Sequence, residues 1–190
     1  MFELLPAGAA DAWLIKCEVH EDARGDFVRS WSLDEFHEAG LFFSPVQANS
    51  STTRQRATIR GMHFQHAPRR EAKLVRCARG RIFDVITDLR PASSTYRRSW
   101  DFELGTDTAM LFVPEGFAHG YQTLTDDVVV EYLMNQRYAP ELADGFRFDD
   151  PAAAIAWPLP PGLVSDRDLA WPGLEGSEFW NLSSGPAGET

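Results

Sequence analysis

Arg60-Gly61-Met62-His63-Phe64-Gln65 is the stretch on which the fold and the chemistry of this chain depend. The run from Thr58 to Gln65 mixes β-branched and aromatic residues without proline, which predicts a β-strand. Because side chains alternate along a strand, His63 shares one face with the residues two before and two after it. A second predicted strand, Ala72–Cys77, turns Lys73 inward as well. The two side chains are candidates for acid–base chemistry, although a lone strand histidine is more often a core residue.

Short predicted strands, separated by turn residues, surround this stretch on both sides. They are Trp13–Val19, Phe27–Trp31, Val46–Thr53, Thr58–Gln65, Ala72–Ala78, Arg81–Leu89, Ser99–Leu104, Ala109–Val113, His119–Leu124 and Val128–Asn135. Strands at this spacing predict an all-β sandwich or barrel, and a double-sheet jelly roll matches the length of the chain. Tyr132 shares a strand face with three apolar residues, so it is predicted to point inward.

One convincing helix is predicted after residue 31. Ser32 is placed to cap it, Glu35 to complete a capping box, and Gly40 to end it. Leu33 and Phe36 are predicted to face the core.

Size and composition predict one ordinary globular domain, residues 1–190, with a loop-rich segment after Pro140 and a frayed tail over 175–190. The sequence contains no run of about 18 apolar residues, so no membrane span is predicted. The N-terminus lacks the pattern of a signal peptide, and Cys17 and Cys77 have no metal or redox spacing. A cytoplasmic protein with reduced thiols is therefore expected.

The distribution of charge along the sequence indicates which class of ligand the protein binds. A net charge of −10 argues against nucleic acid. Nevertheless, nine of the 18 cations lie between Arg54 and Arg81, where Glu71 is the only acid. Such focusing suits a phosphate or diphosphate ligand, and a solvated arginine-rich surface explains it equally well. Lys73 is one of only two lysines, which indicates a role for a compact ammonium.

Two segments resemble the signature of the cupin jelly roll. Pro114-Glu115-Gly116-Phe117-Ala118-His119 matches the second cupin motif, Pro-x-Gly-x-x-His. In the first motif, Gln65 stands where the second metal-binding histidine is expected, and His66 faces the other way. Since an amide oxygen is a poor substitute for imidazole, we expect no metal and no other cofactor.

A metal-free pocket of this composition suits proton transfer next to a carbonyl group. His63 would be the base, Lys73 would stabilise the enolate, and Tyr132 would return a proton from the opposite face. Asp166 or Asp168 would orient the base if the C-terminal segment folds back.

Ordered blocks along the chain resemble the dTDP-4-dehydrorhamnose 3,5-epimerase family over about Trp13 to Pro172. The blocks are Asp22-Ala23-Arg24-Gly25, Gln47-Ala48-Asn49-Ser50, Arg60–Gln65, Ala72–Cys77, Phe83-Asp84-Val85, Asp88-Leu89-Arg90 and Pro114–Gly120. The resemblance implies a metal-free jelly roll and a homodimer that exchanges N-terminal strands. It also implies epimerisation at C3 and C5 of a dTDP-linked 4-keto-6-deoxy sugar.

The resemblance also implies roles for individual residues. His63 resembles the general base, Lys73 the enolate-stabilising cation, Tyr132 the general acid and Asp168 the carboxylate paired with the base. Positions that match substrate contacts are Arg24, Phe27, Arg29, Gln47, Asn49, Arg60, His119, Tyr138, Asp144 and Arg167. Arg60 is expected near the diphosphate, although strand parity places it opposite to His63. Either a bulge at Gly61 re-aims it, or it serves another part of the cleft.

Three of these positions, Arg29, Asp144 and Arg167, differ from the common family residues, as does Ala48 between Gln47 and Asn49. They lie among substrate contacts and leave three alternatives open. The first is a single-site 3- or 5-epimerase, or one for another nucleotide-linked 4-keto sugar. The second is a metal-dependent cupin oxygenase, which Gln65 disfavours. The third is a non-catalytic sugar-binding cupin, which the retained His63, Lys73, Tyr132 and Asp168 argue against.

Overall fold

Two antiparallel β-sheets packed face to face form the body of the protein. The structure, a computed structural model, describes residues 2–9, 11–106 and 109–175. The six-stranded sheet runs in the order β1 (Phe2–Pro6), β2 (Trp13–Cys17), β10 (Ala109–Val113), β7 (Lys73–Arg79), β12 (Val128–Met134) and β5 (Gln47–Thr53). The five-stranded sheet runs in the order β13 (Ala143–Gly145), β6 (Ile59–Gln65), β11 (Phe117–Thr123), β8 (Arg81–Asp88) and β9 (Ser99–Gly105). The predicted all-β jelly roll is confirmed.

A two-stranded ribbon, two helices and a 3-10 turn complete the regular structure of the described residues. A separate two-stranded ribbon pairs β3 (Val19–Asp22) with β4 (Gly25–Val28). The helices are α1 (Leu33–Glu38) and α2 (Asp166–Ala170), and a 3-10 turn spans Pro151–Ala153. No helix of the described residues is long and apolar enough to cross a membrane.

The main core lies between the sheets and follows the two-residue period of their strands. Val75 and Cys77 of β7 and Val130 of β12 meet Ile82 and Ile86 of β8, all of them fully buried. Tyr132 packs against the same cluster, as its strand parity predicted. The site described below lies at one end of this layer.

Each sheet also buries its outer face. Phe36 of α1 covers the six-stranded sheet together with Phe43, both packed against Leu74 and Phe112. On the other side, Met62 and Phe64 of β6 pack under the C-terminal segment, which contributes Phe146 and Leu174. Because Met62 and Phe64 face outward, His63 between them is turned toward the interior of the jelly roll.

The N-terminal region differs from its prediction. β1 was not predicted; it pairs with β2 along its whole length. The predicted strand Trp13–Val19 is divided at Glu18, where the chain leaves the sheet to form β3. The strand predicted at Phe27–Trp31 begins earlier, at Gly25, because a two-residue turn closes the ribbon.

Two details of α1 were predicted wrongly. Ser32 occupies the N-cap position, but its side chain makes no capping hydrogen bond. Glu35 forms an ion pair with Arg29 instead of closing a capping box. Leu33 is 40% exposed, whereas Phe36 is buried as predicted. Gly40, with a φ of +87°, ends the helix as predicted.

The C-terminal segment contains more regular structure than predicted. β13 adds an edge strand beside β6, and α2 forms beyond the proline-rich stretch. Ser165 caps α2 by accepting a hydrogen bond from the Asp168 backbone N–H at 3.1 Å. The pattern Ser165-x-x-Asp168 is a helix-start signature that was available in the sequence. Apart from residue 175, the predicted frayed tail lies outside the described residues.

Candidate active site

A cleft in two parts opens between the sheets, where β6 faces β7 and β12. The first hollow, of 390 Å³, contains Arg60, His119, Tyr121 and Asp168 among its lining residues. The second, of 430 Å³, contains side chains from β5, β6 and β12. Four side chains line both hollows: His63, Lys73, Tyr132 and Arg167. All four predicted catalytic residues therefore border one continuous space.

A β-bulge at Gly61 and Met62 brings Arg60 and His63 to the same hollow. His63 stands opposite His119 of β11, but Arg60 stands opposite Tyr121, so two residues of β6 face the single Gly120. The regular alternation of side chains is interrupted there. Of the two explanations offered for Arg60, re-aiming by a bulge is the one found.

His63 is hydrogen-bonded to a carboxylate that comes from a distant part of the chain. Its Nε2 lies 2.6 Å from Oδ1 of Asp168, which is 4% exposed. The other oxygen, Oδ2, accepts the Gly61 backbone N–H at 3.3 Å. Burial by itself would raise the pKa of Asp168, but the hydrogen bond and charge of His63, with the Gly61 backbone N–H and the Ser165 side chain, lower it. An ionised Asp168 accepts a hydrogen bond from Nε2–H, and in that tautomer the lone pair lies on Nδ1.

Lys73 enters the cleft from the first position of β7. Its Nζ lies 2.8 Å from Oε1 of Glu71, in the connection between β6 and β7. The two side chains are only 9% and 10% exposed, so the ion pair is largely withdrawn from solvent. Val75 and Cys77, two and four residues on, face the core on the same side of the strand.

Tyr132 reaches the cleft from β12, on the sheet opposite to His63. Burial raises the pKa of its phenol, as do Tyr121 and Glu71 nearby, while the Arg60 guanidinium opposes them. The phenol therefore keeps its proton throughout the neutral range. The arrangement sets a proton acceptor, His63, and a proton donor, Tyr132, on opposite sheets.

His119 forms a second buried histidine–carboxylate pair. Its Nε2 lies 2.9 Å from Oδ2 of Asp84, which is completely buried on β8. Nearby, the Arg60 Nε donates to Thr53 Oγ1 at 3.0 Å, which fixes the guanidinium at the wall of the first hollow. The first hollow thus contains polar groups on both sheets.

The second hollow contains the remaining predicted contacts that the single chain brings together. Gln47 donates to Asn49 at 3.2 Å and accepts the backbone N–H of Tyr138 at 3.0 Å. Arg167 lies over the Trp171 ring and donates to the Tyr138 hydroxyl at 3.4 Å. Asp144 is paired with His66, whose Nε2 is 2.8 Å from its Oδ2.

Three predicted contacts lie elsewhere in the single chain. Arg24, Phe27 and Arg29 belong to β4 and its flanks, and none of them lines either hollow. Arg24 pairs with Asp22 and has a side chain that is 89% exposed, while Phe27 is 61% exposed. The chain alone does not bring them to the cleft.

Most of the predicted cation cluster serves other purposes. Of the nine cations between Arg54 and Arg81, only Arg60 and Lys73 line the two hollows. Arg56 and Arg79 donate to the carbonyls of Leu124 and Asp127. The alternative of a solvated arginine-rich surface therefore describes most of the cluster.

Gln65, in the place of a cupin metal ligand, is engaged by the backbone. Its oxygen accepts the N–H of Ala139 at 2.8 Å, and its nitrogen donates to the carbonyls of Arg69 and Arg137. Among the described residues, no group of three or more His, Cys, Asp or Glu side chains could hold a metal ion. The donor set at this position suits a structural role and not metal binding.

Glu71 and Tyr121 line the cleft, and Asp84 pairs with His119 behind its wall, but no role was predicted for these three residues. A signal existed for Glu71: it is the only acid in a cationic stretch, two residues before Lys73 on the same face of an extended chain. No comparable signal marked Asp84, because its pairing with His119 depends on the register of β8 and β11.

Comparison with known proteins gives one consistent family. The profile of dTDP-4-dehydrorhamnose 3,5-epimerase matches residues 7–176. A protein of that name from Sinorhizobium fredii is 39% identical over 171 residues, which cover 87% of this chain and 86% of the relative. A dTDP-4-dehydrorhamnose 3-epimerase from Streptomyces niveus is 37% identical over 168 residues, covering 87% of this chain and 80% of the relative.

A solved structure agrees with these matches. The crystal structure of the 3,5-epimerase from Bacillus anthracis, with TDP and PPi bound, superposes with a TM-score of 0.89. It is 34% identical in sequence, and the alignment covers 92% of this chain and 100% of that one. Fold, matched length and sequence identity lead to the same conclusion: the chain belongs to the dTDP-4-dehydrorhamnose 3,5-epimerase family.

Proposed function

We propose that this protein inverts C3 and C5 of dTDP-4-dehydro-6-deoxyglucose, giving dTDP-4-dehydro-L-rhamnose. The observation that carries the proposal is the hydrogen-bonded pair of His63 and Asp168, which faces Lys73 and Tyr132 across one cleft. Each inversion removes a proton next to the C4 carbonyl and returns one to the other face. Both steps require an acceptor and a donor on opposite sides of the sugar.

His63 is the proposed base for both carbons. Asp168 holds Nε2–H and stabilises the imidazolium that forms when Nδ1 takes the substrate proton. The lowered pKa of Asp168 supports this role, since the carboxylate stays ionised throughout the working pH range.

Lys73 is the proposed stabiliser of the enolate oxygen at C4, and Tyr132 is the proposed acid. A fixed ammonium in a largely buried site lowers the energy of the developing negative charge more than one in water. The raised pKa of Tyr132 keeps the phenol protonated until the carbanion accepts its proton. The proposed reaction uses these side chains alone, without metal or cofactor.

The nucleotide and sugar are proposed to occupy both hollows. Arg60, His119 and Arg167 supply positive or donor groups for the diphosphate and the sugar hydroxyls. Gln47, Asn49, Tyr138 and Asp144 supply amide, phenol and carboxylate groups at the second hollow.

We further infer a cytoplasmic homodimer in which the ribbon of β3 and β4 completes the cleft of the partner subunit. The ribbon lies apart from both main sheets, and its residues from Val19 to Phe27 are exposed. Arg24, Phe27 and Arg29 are then substrate contacts contributed across the interface. This inference accounts for three predicted contacts that one chain leaves outside its own cleft.

The proposal is tested with dTDP-4-dehydro-6-deoxyglucose in deuterated water, with the product examined by NMR. Deuterium at both C3 and C5, with inversion, is the expected result. Deuterium at one carbon would instead indicate a single-site epimerase, the alternative that the Streptomyces niveus relative favours. No incorporation would contradict the proposal for this substrate.

A further inference from the structure

The carboxylate of Glu71 borders the cleft beside Lys73, and the proposed proton transfer does not use it. Its Oε1 lies 2.8 Å from the Lys73 Nζ, and the side chains are 10% and 9% exposed. Burying two charged groups is costly unless they lie close enough together to offset the loss of water. The pair also lies in the second hollow, with Glu71 lining its wall. A buried ion pair at a reactive surface requires a reason beyond stability.

Glu71 lies close to both groups that must carry protons before the reaction starts. It contacts the Lys73 ammonium directly, and its charge raises the pKa of Tyr132. The other charged or titratable side chains that face this hollow are His63, Asp144, Tyr138 and Arg167. His63 already has Asp168 as its carboxylate, and Asp144 is paired with His66. Glu71 is thus the carboxylate that acts on the donor side of the cleft.

We propose that Glu71 is a positioning residue that holds the Lys73 Nζ toward the C4 oxygen and keeps the Tyr132 phenol protonated. The ammonium has three N–H groups. One points to Glu71, and the other two stay available for a substrate oxygen. The negative charge of Glu71 holds the ammonium by electrostatic attraction and favours the protonated form of the Tyr132 phenol. This inference rests on the roles proposed above for Lys73 and Tyr132.

The test compares Glu71→Gln with the wild type, because the amide keeps the size and an acceptor oxygen but loses the charge. We expect an unchanged Kd for dTDP by calorimetry and a lower melting temperature, because the buried Lys73 ammonium loses its counter-charge. We expect kcat to fall by roughly tenfold and the alkaline limb of its pH profile to move down by about one pH unit. Glu71→Asp, which restores the charge, is expected to bring the limb back toward the wild type.

Two controls make the result specific. Glu131→Gln removes a carboxylate from β12 that is half exposed and lies 3.9 Å from Arg76, away from the cleft, and its pH profile is expected to match the wild type. Lys73→Met tests the underlying role: a wild-type rate in that variant would contradict the function proposed for Lys73 itself. If Lys73→Met is inactive while Glu71→Gln keeps the wild-type alkaline limb, only the inference about Glu71 is overturned. A lower melting temperature without a shifted limb would likewise overturn it.

Discussion

At the scale of single residues, the cleft separates the group proposed to take a proton from the group proposed to give one. His63 stands on the five-stranded sheet beside Asp168, and Tyr132 stands on the six-stranded sheet near Lys73 and Glu71. Asp168 is the carboxylate on the first side and Glu71 is the carboxylate on the second, so each side has its own negative charge. The consequence is that variants on the two sides are expected to fail in different ways.

We predict that His63→Ala abolishes deuterium incorporation at both C3 and C5, because it removes the proposed base for both carbons. Tyr132→Phe is expected to keep slow incorporation without inversion, because His63 exchanges the abstracted proton with solvent and then returns deuterium to the same face. NMR of the sugar after incubation in deuterated water distinguishes the two. Near-normal exchange in His63→Ala would contradict the assigned base.

A second prediction concerns the stability contributed by Asp168. Its pKa is lowered in the native state, so ionised Asp168 stabilises the fold above the ordinary value of about 3.9. That contribution is lost as the pH falls through the lowered native pKa. We expect Asp168→Asn to reduce the free energy of unfolding by about 1–3 kcal/mol near neutral pH and by progressively less below about pH 4.

Urea denaturation at a series of pH values measures this difference. Asp166→Asn, two residues away in the same helix and exposed, is the matched control and is expected to stay within about 0.5 kcal/mol of the wild type. A difference for Asp168→Asn that does not change with pH would contradict the linkage.

At the scale of elements, the bulge in β6 determines which side chains reach the cleft. Gly61 has a φ of +125°, and a Cβ there would lie 2.5 Å from the Gly120 Cα and 2.8 Å from the His119 carbonyl oxygen. Both neighbours are backbone atoms of β11, so neither can move aside easily. Glycine at this position permits the close approach of the two strands.

We predict that Gly61→Ala destabilises the protein by more than about 3 kcal/mol, through backbone strain and the steric conflict with β11. Gly40→Ala is the matched control: its φ is +87°, but nothing lies within 4 Å of the added Cβ. Only the conformational cost of about 1 kcal/mol is expected there. Thermal or urea unfolding compares the two variants, and equal losses would show that contact with β11 does not matter.

Strand parity was sufficient to predict that His63, Lys73 and Tyr132 point into one space, because a two-residue period is visible in the sequence. It was insufficient for Arg60, since a bulge interrupts the period and only Gly61 hinted at it. The choice between Asp166 and Asp168 depended on how the C-terminal segment folds over β6. The pairing of Asp84 with His119 depended on a register between strands more than 30 residues apart, which no local pattern encodes.

At the scale of the whole molecule, the question is which cleft the ribbon of β3 and β4 completes. A ribbon that completes the partner's cleft makes each site a product of two chains. Mixing His63→Ala with an Arg24→Ala/Phe27→Ala variant tests this directly. If ribbons are exchanged, each mixed dimer contains one site with an intact base and an intact ribbon. We then predict recovery of about a quarter of wild-type activity at equal mixing, since half of the dimers are mixed.

Neither parent alone is expected to reach that level of activity, and sedimentation of the wild type is expected to give a dimer. If the ribbon instead folds back onto its own chain, no mixed dimer contains a complete site, and mixing adds nothing.

The position of the base and the acid on different sheets has a consequence for the core that separates them. Sheets in such folds pack at about 10 Å, a spacing maintained by the side chains between them. Here that filling includes Val75, which pairs with Tyr132 across β7 and β12, and Ile86, which pairs with His119 across β8 and β11. The hydrophobic layer therefore determines the distance between the two sheets, across which the sugar ring is proposed to bind. Enlarging or shrinking it should change turnover before it changes nucleotide affinity, so in this molecule the packing of the interior is itself part of the catalytic geometry.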